Sequence, residues 1–150
     1  MPKFAISASS ICTAIVFAAS APLLVSASPA EPLKIENLTE KQAKSLAGLL
    51  DGLEAGETRS CVSQRQVRHM RVVSDDIIVF EMRNGRVFVN QPDGGCPKAY
   101  RNSLITEQPA GQLCAGEIAT VVDFRSGFTA GSCSFGRFVE YTKADSEEAD

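Results

Sequence analysis

The chain has 150 residues, a formal net charge of −3, five cysteines, one histidine and no tryptophan. That length suits one domain, and a mild acidic balance is not the footprint of a nucleic-acid-binding domain. One histidine among widely spaced cysteines also excludes the paired-ligand zinc motifs.

The amino terminus carries Lys3 and then no charge until Glu31. An apolar run from Ile11 to Ala19 continues through Ala21, Leu23, Leu24 and Val25. A short positive region, an apolar core and a small-residue exit predict a secretory signal peptide over residues 1–27, cut after Ala27, with Ser28-Pro29-Ala30 as the alternative exit. Pro22 and repeated serines make the segment a poor permanent span, so no stable transmembrane segment is expected after processing. Bulky Ile11 before Cys12 argues against a lipid-modified cysteine, and Cys12 is expected to leave with the leader.

Residues 28–37 read as a polar, proline-bearing, flexible lead-in, and 38–142 as a single disulfide-bonded β domain opening with a helix. Thr39 with Gln42 has capping-box spacing, and Ala43, Leu46, Leu50 and Leu53 recur at helical intervals as a docking stripe. Strands begin at Cys61. Asn84-Gly85 predicts a two-residue hairpin turn, which sets Met82 against Val87, Phe80 against Val89 and Ile78 against Gln91. One face of that ribbon is then almost wholly apolar. A three-residue loop at Ser74-Asp75-Asp76 sets Val72 opposite Ile78, Met70 opposite Phe80 and His69 opposite Glu81. Further strands are expected at 104–107, followed by a turn at Pro109-Ala110-Gly111, and at 117–124 and 128–134, joined by a turn at Arg125-Ser126-Gly127, with a last strand or bend over 135–142 around Gly136. Residues 143–150 read as an acidic, disordered tail. These elements predict a mainly β fold, a small barrel or rolled antiparallel sheet with one N-terminal helix and two disulfides.

Cys61, Cys96, Cys114 and Cys133 lie 35, 18 and 19 residues apart. Behind a secretory leader, such thiols are expected to form two disulfides. Three pairings are possible. The preferred one joins Cys96 to Cys114, bounding a loop at 97–113, and Cys61 to Cys133, clamping the first strand to the last.

The segments Cys61-Val62, Met82-Arg83-Asn84-Gly85-Arg86 with Asn90, and Gly95-Cys96-Pro97 form part of one pattern. Leu113-Cys114-Ala115-Gly116-Glu117 and Cys133-Ser134-Phe135-Gly136-Arg137-Phe138 complete it. Together they resemble a family of short exported proteobacterial proteins known only as a domain of unknown function, over roughly residues 38–141. The resemblance implies a periplasmic or outer-envelope location in a Gram-negative cell. It carries no activity, cofactor or catalytic residue.

Residues 59–137 hold nine arginines and one lysine against seven acids. Arg65, Arg68, Arg71, Arg83 and Arg86 fall within one meander. With Phe88 on the outer face, they form a candidate anion-binding strip of the kind small barrels offer to oligonucleotides or glycans. The plainer reading is that they solvate the sheet and pair with its acids. His69, facing Glu81 with Ser63 on the same strand, is the weak candidate for a hydrolase, since cross-strand opposite charges ordinarily serve the sheet. Asp75-Asp76 and Asp93 suit turns better than a calcium loop. No motif calls for a metal or a cofactor. The expectation is therefore a non-catalytic binding or structural domain, periplasmic or secreted. The sequence identifies no partner; an envelope component and an anionic polymer are the candidates it leaves open.

Overall fold

The computed structural model describes residues 33, 35, 37–107 and 111–143. The predicted signal peptide, most of the lead-in, part of the turn near Pro109 and the acidic tail beyond Lys143 lie outside the described residues.

Helix α1 (Glu40–Leu49) begins as its sequence specifies. Thr39 caps it, accepting the Gln42 N–H, while the Gln42 side chain accepts the Thr39 N–H at 2.9 Å. The helix stops earlier than its leucine stripe. Gly52 takes a positive φ of 69°, and Leu53 already belongs to strand β1 (Leu53–Arg59). Then come β2 (Cys61–Ser63), a 3-10 turn (Gln64–Gln66), β3 (Val67–Ser74), β4 (Ile77–Met82) and β5 (Val87–Asn90). A second 3-10 turn (Ala99–Arg101) leads to β6 (Ser103–Thr106), β7 (Gln112–Cys114), β8 (Ile118–Val122), β9 (Thr129–Ser134) and β10 (Phe138–Lys143).

All pairings between these strands are antiparallel. They build a five-stranded sheet in the order β1-β10-β5-β4-β3, a two-stranded ribbon β2-β7 and a three-stranded sheet β6-β8-β9. The fold is mainly β with one N-terminal helix and two disulfides. Among the described residues no barrel closes: β1 and β3 are the outer strands of the large sheet.

The hairpin around Asn84-Gly85 differs from expectation by one residue. Phe80 faces Phe88, Val79 faces Val89 and Ile78 faces Asn90. The Met82 N–H donates to the Arg86 carbonyl and the Gly85 N–H to the Met82 carbonyl, with Gly85 at φ 83°. This is a three-residue loop ending in a left-handed glycine, the G1-bulge form, rather than a two-residue turn. The register shift is tolerated because β4 is buried on both faces: Ile77, Ile78, Val79 and Phe80 are all fully buried. A strand covered on both sides reads as a continuous apolar run and gives no alternation to fix its register.

Ile78, Phe80, Met82 and Phe88 join Val62, Leu113, Ala119, Val121, Phe135 and Phe138 in the larger core. Phe80 lies 6.0 Å from Phe135 and 5.6 Å from Phe138, ring centre to ring centre, near edge-on to both. On the opposite face Ile77, Val79, Val87 and Val89 pack with Leu46 and Leu49 of α1, with its C-cap residue Leu50 and with Tyr141. The predicted pairs Val72–Ile78, Met70–Phe80 and His69–Glu81 form. They arise through a two-residue turn at Asp75-Asp76 and a bulge at Val73, since Ser74 pairs with Ile77.

The cysteine pairing corrects the preferred one. Cys61 bonds Cys114, and Cys96 bonds Cys133. β2 and β7 pair so that Cys61 stands directly opposite Cys114. Cys133 points from β9 into the larger core, where Cys96 is also buried. The segment 97–113 is therefore not a loop bounded by one disulfide. Two disulfides fit an oxidising, extracytoplasmic compartment. No helix of the described residues is long and apolar enough to cross a membrane.

Candidate functional site

The meander brings part of the arginine strip to one corner. β3 begins with Val67 opposite Met82, and the Arg83 N–H donates to the Gln66 carbonyl at 2.9 Å. That contact seats the hairpin loop against the 3-10 turn preceding β3. Arg65 of that turn, Arg68 of β3 and Arg83 of the loop are all exposed, and none forms an ion pair among the described residues. Arg68 is the bulged residue where the register steps between Val67 and His69.

The other two arginines are spoken for. Arg71 Nε donates to Glu81 Oε1 at 2.5 Å. Arg86 Nη1 donates to Glu140 Oε1 at 2.8 Å, and Arg59 Nε to Glu140 Oε2 at 2.8 Å. Glu140 is 5% exposed on β10, so a carboxylate held on both oxygens is the form in which a buried charge is tolerated. Arg86 is thus a structural counter-ion. The plainer reading holds for Arg71 and Arg86, and the strip contracts to Arg65, Arg68 and Arg83.

Phe88 is not the aromatic platform expected beside them. The one-residue register shift turns it inward, where it is 3% exposed in the larger core. Base stacking on Phe88 is therefore ruled out, leaving the corner as an electrostatic surface.

His69 stands exposed opposite Glu81, as read from the sequence, but that carboxylate is bound by Arg71. Ser63 is on β2, which pairs with β7 in a different sheet, and not on the histidine's strand. Among the described residues no cluster of three or more His, Cys, Asp or Glu side chains could hold a metal ion. Asp75 serves structure: its carboxylate accepts the Lys98 N–H at 3.0 Å and the Tyr100 N–H at 2.9 Å, fastening the second 3-10 turn to the β3–β4 hairpin. Between that turn, α1 and β3 lies a shallow cleft of about 220 Å³ lined by Lys41, Gln42, Arg71 and Tyr100 among others.

The β8–β9 hairpin forms where its strands are expected, but the exposed aromatic pair at its tip is a feature missed in the sequence. Its loop, 123–128, exposes Phe124 at 86% and Phe128 at 75%. The signal was present as two phenylalanines flanking Arg125-Ser126-Gly127, a turn whose tip faces solvent. Ile105 and Ile118 are exposed on the same small sheet.

Comparison with protein-family models, with curated proteins and with solved structures gives no match.

Proposed function

We propose that this chain is an exported, non-catalytic binding domain of the Gram-negative envelope, released into the periplasm by cleavage near Ala27. Its partner is anionic, a glycan or polymer phosphate, engaged through Arg65, Arg68 and Arg83. The observation that carries this reading is the segregation of the arginines. Acids neutralise Arg71 and Arg86, whereas three guanidinium groups stay exposed and, among the described residues, without an ion pair at the corner where the hairpin meets β3. Arginine is well suited to the task, because its planar fork meets phosphate and carboxylate oxygens bidentately. The leader and the resemblance to short exported proteobacterial proteins support the compartment, and the two disulfides accord with it.

Affinity for anions should be measured as the salt needed to elute the oxidised protein from immobilised heparin. Arg65→Ala, Arg68→Ala and Arg83→Ala combined should elute at clearly lower salt, because exposed charge pairs are screened within about 8–10 Å at physiological ionic strength. Arg71→Ala should elute nearly as the parent does. Equal elution of the triple variant and the parent rejects the anionic partner.

A further inference from the structure

The β8–β9 hairpin has the construction of a tip that tolerates removal from water. Five of the six backbone N–H groups of loop 123–128 are bonded within the loop. Asp123 N–H donates to the Phe128 carbonyl at 2.9 Å and Gly127 N–H to the Asp123 carbonyl at 2.8 Å. The Arg125 and Ser126 N–H groups both donate to Asp123 Oδ1, at 2.8 and 3.2 Å, and the Phe128 N–H to Ser126 Oγ at 3.4 Å. Backbone donors already satisfied carry no desolvation penalty into a low-dielectric medium.

That rigid loop holds Phe124 and Phe128 almost wholly in water. Behind them the outer face of the three-stranded sheet is uncharged. It bears Ser103 and Ile105 of β6, Ile118, Thr120 and Val122 of β8, and Ser132 of β9, while Ala119, Val121 and Cys133 point inward. Cations gather at the hairpin's end of this sheet. Ser103, at the hairpin's end of β6, pairs with Val122, and the 3-10 turn carrying Lys98 and Arg101 leads directly into it. Lys98, Arg101 and Arg125 are exposed and form no ion pair among the described residues. The carboxylates of Asp75 and Asp123 are both taken up by backbone amides.

We infer that this end of the protein is a membrane-contacting tip: Phe124 and Phe128 enter the interfacial layer of an anionic bilayer while Lys98, Arg101 and Arg125 meet lipid phosphates. The geometry favours a bilayer over a protein partner. Two phenylalanines this exposed would each need a matching pocket on a protein, whereas a bilayer interface accepts them without one. A long uncharged face lets the tip sink to the level of the cations, whose stems can lie along apolar surface with their heads at the phosphates. This surface is separate from Arg65, Arg68 and Arg83, so it stands or falls independently of the anionic-partner reading.

The test is co-sedimentation of the oxidised, exported protein with vesicles. Phosphatidylglycerol-rich vesicles should retain it, pure phosphatidylcholine vesicles far less, and added salt should weaken retention. Phe124→Ser with Phe128→Ser should cut retention roughly tenfold or more, the scale expected for losing two buried aromatic side chains. Both side chains are solvated in the folded protein, so the variant's unfolding midpoint should not fall. Phe124→Leu with Phe128→Leu should keep most of the binding. Because the chain has no tryptophan, Phe124→Trp gives a clean reporter whose emission should shift to the blue on phosphatidylglycerol vesicles. Three results overturn the inference: no retention of the parent on any vesicle; retention abolished by Arg65→Ala, Arg68→Ala and Arg83→Ala but unaffected by the serine variant; or a concentration-dependent dimer that the serine variant dissolves while vesicle retention is unchanged.

Discussion

A buried amide is costly unless its polar atoms are met, and Asn90 meets that condition against one backbone corner. Its side chain is fully buried, donates through Nδ2 to the Gly136 carbonyl at 2.7 Å and accepts the Gly136 N–H on Oδ1 at 3.2 Å. The corner approaches so closely that a Cβ on Gly136 would overlap the Gln91 carbonyl oxygen. Asn90 therefore locks the turn between β9 and β10 onto the end of β5. Asn90→Ala removes these bonds and the longer one from Nδ2 to the Arg137 carbonyl at 3.4 Å, and strands the Gly136 groups away from water, which should cost about 2–3 kcal/mol. Urea unfolding monitored by circular dichroism checks this, and an unchanged midpoint would mean that the corner is held elsewhere. Partnership was the illegible part of the arginine strip for the same reason. The neutralisation of Arg86 by Glu140 depends on β5 lying beside β10, a pairing between residues about fifty apart in sequence.

Local signals carried their elements well. The Thr39–Gln42 capping box, the turn at Arg125-Ser126-Gly127 and the pairs Met70–Phe80 and His69–Glu81 all rest on neighbours within a few residues or one hairpin. Three readings failed where no local pattern decided the outcome. β1 escaped notice because LEAGETR is an outer strand with a mostly exposed pattern, so no apolar alternation marks it. The Asn84-Gly85 register slipped because Gly85 can serve a two-residue or a three-residue turn, and IIVFEM and VFVN are apolar in either alignment. The cysteine pairing rests on β2 meeting β7, two three-residue strands far apart in the chain. A map of the unreduced protein should accordingly link the Cys61 and Cys114 peptides. With closed spans of 53 and 37 residues, chain entropy sets about 4 kcal/mol as the most that either bond contributes. Cys61 is exposed, so Cys61→Ala with Cys114→Ala should cost no more than that. Cys96→Ala with Cys133→Ala should cost more, because it also opens a void in the larger core. The reverse ranking of denaturant midpoints would contradict this account.

At the scale of the whole molecule, one sheet divides two cores of unequal security. Both disulfides serve the side holding Phe80, Phe135 and Phe138: Cys96 and Cys133 lie within that core, and Cys61–Cys114 joins the strands that supply Val62 and Leu113. The helix side, built from Leu46, Val79, Val89 and their neighbours, has no disulfide across it among the described residues. It depends on apolar burial, and Tyr141 marks where that burial meets an ionisable group. Burial raises the Tyr141 phenol above its ordinary 10.0, so the folded protein holds this proton more tightly than the unfolded chain does. Its stabilising share is complete below pH 10 and is lost as pH rises through the raised native value. The parent should therefore lose stability through this group only on the alkaline side, and Tyr141→Phe should flatten that part of the curve without changing it near neutrality. Denaturant midpoints across neutral and alkaline pH measure the difference. Hydrogen exchange at the same pH values locates it: amides of α1 should open before those of β4, because the helix side can loosen while the stapled side stays folded. Equal alkaline loss in parent and Tyr141→Phe would shift the cause to other groups and remove the phenol from the helix-side account.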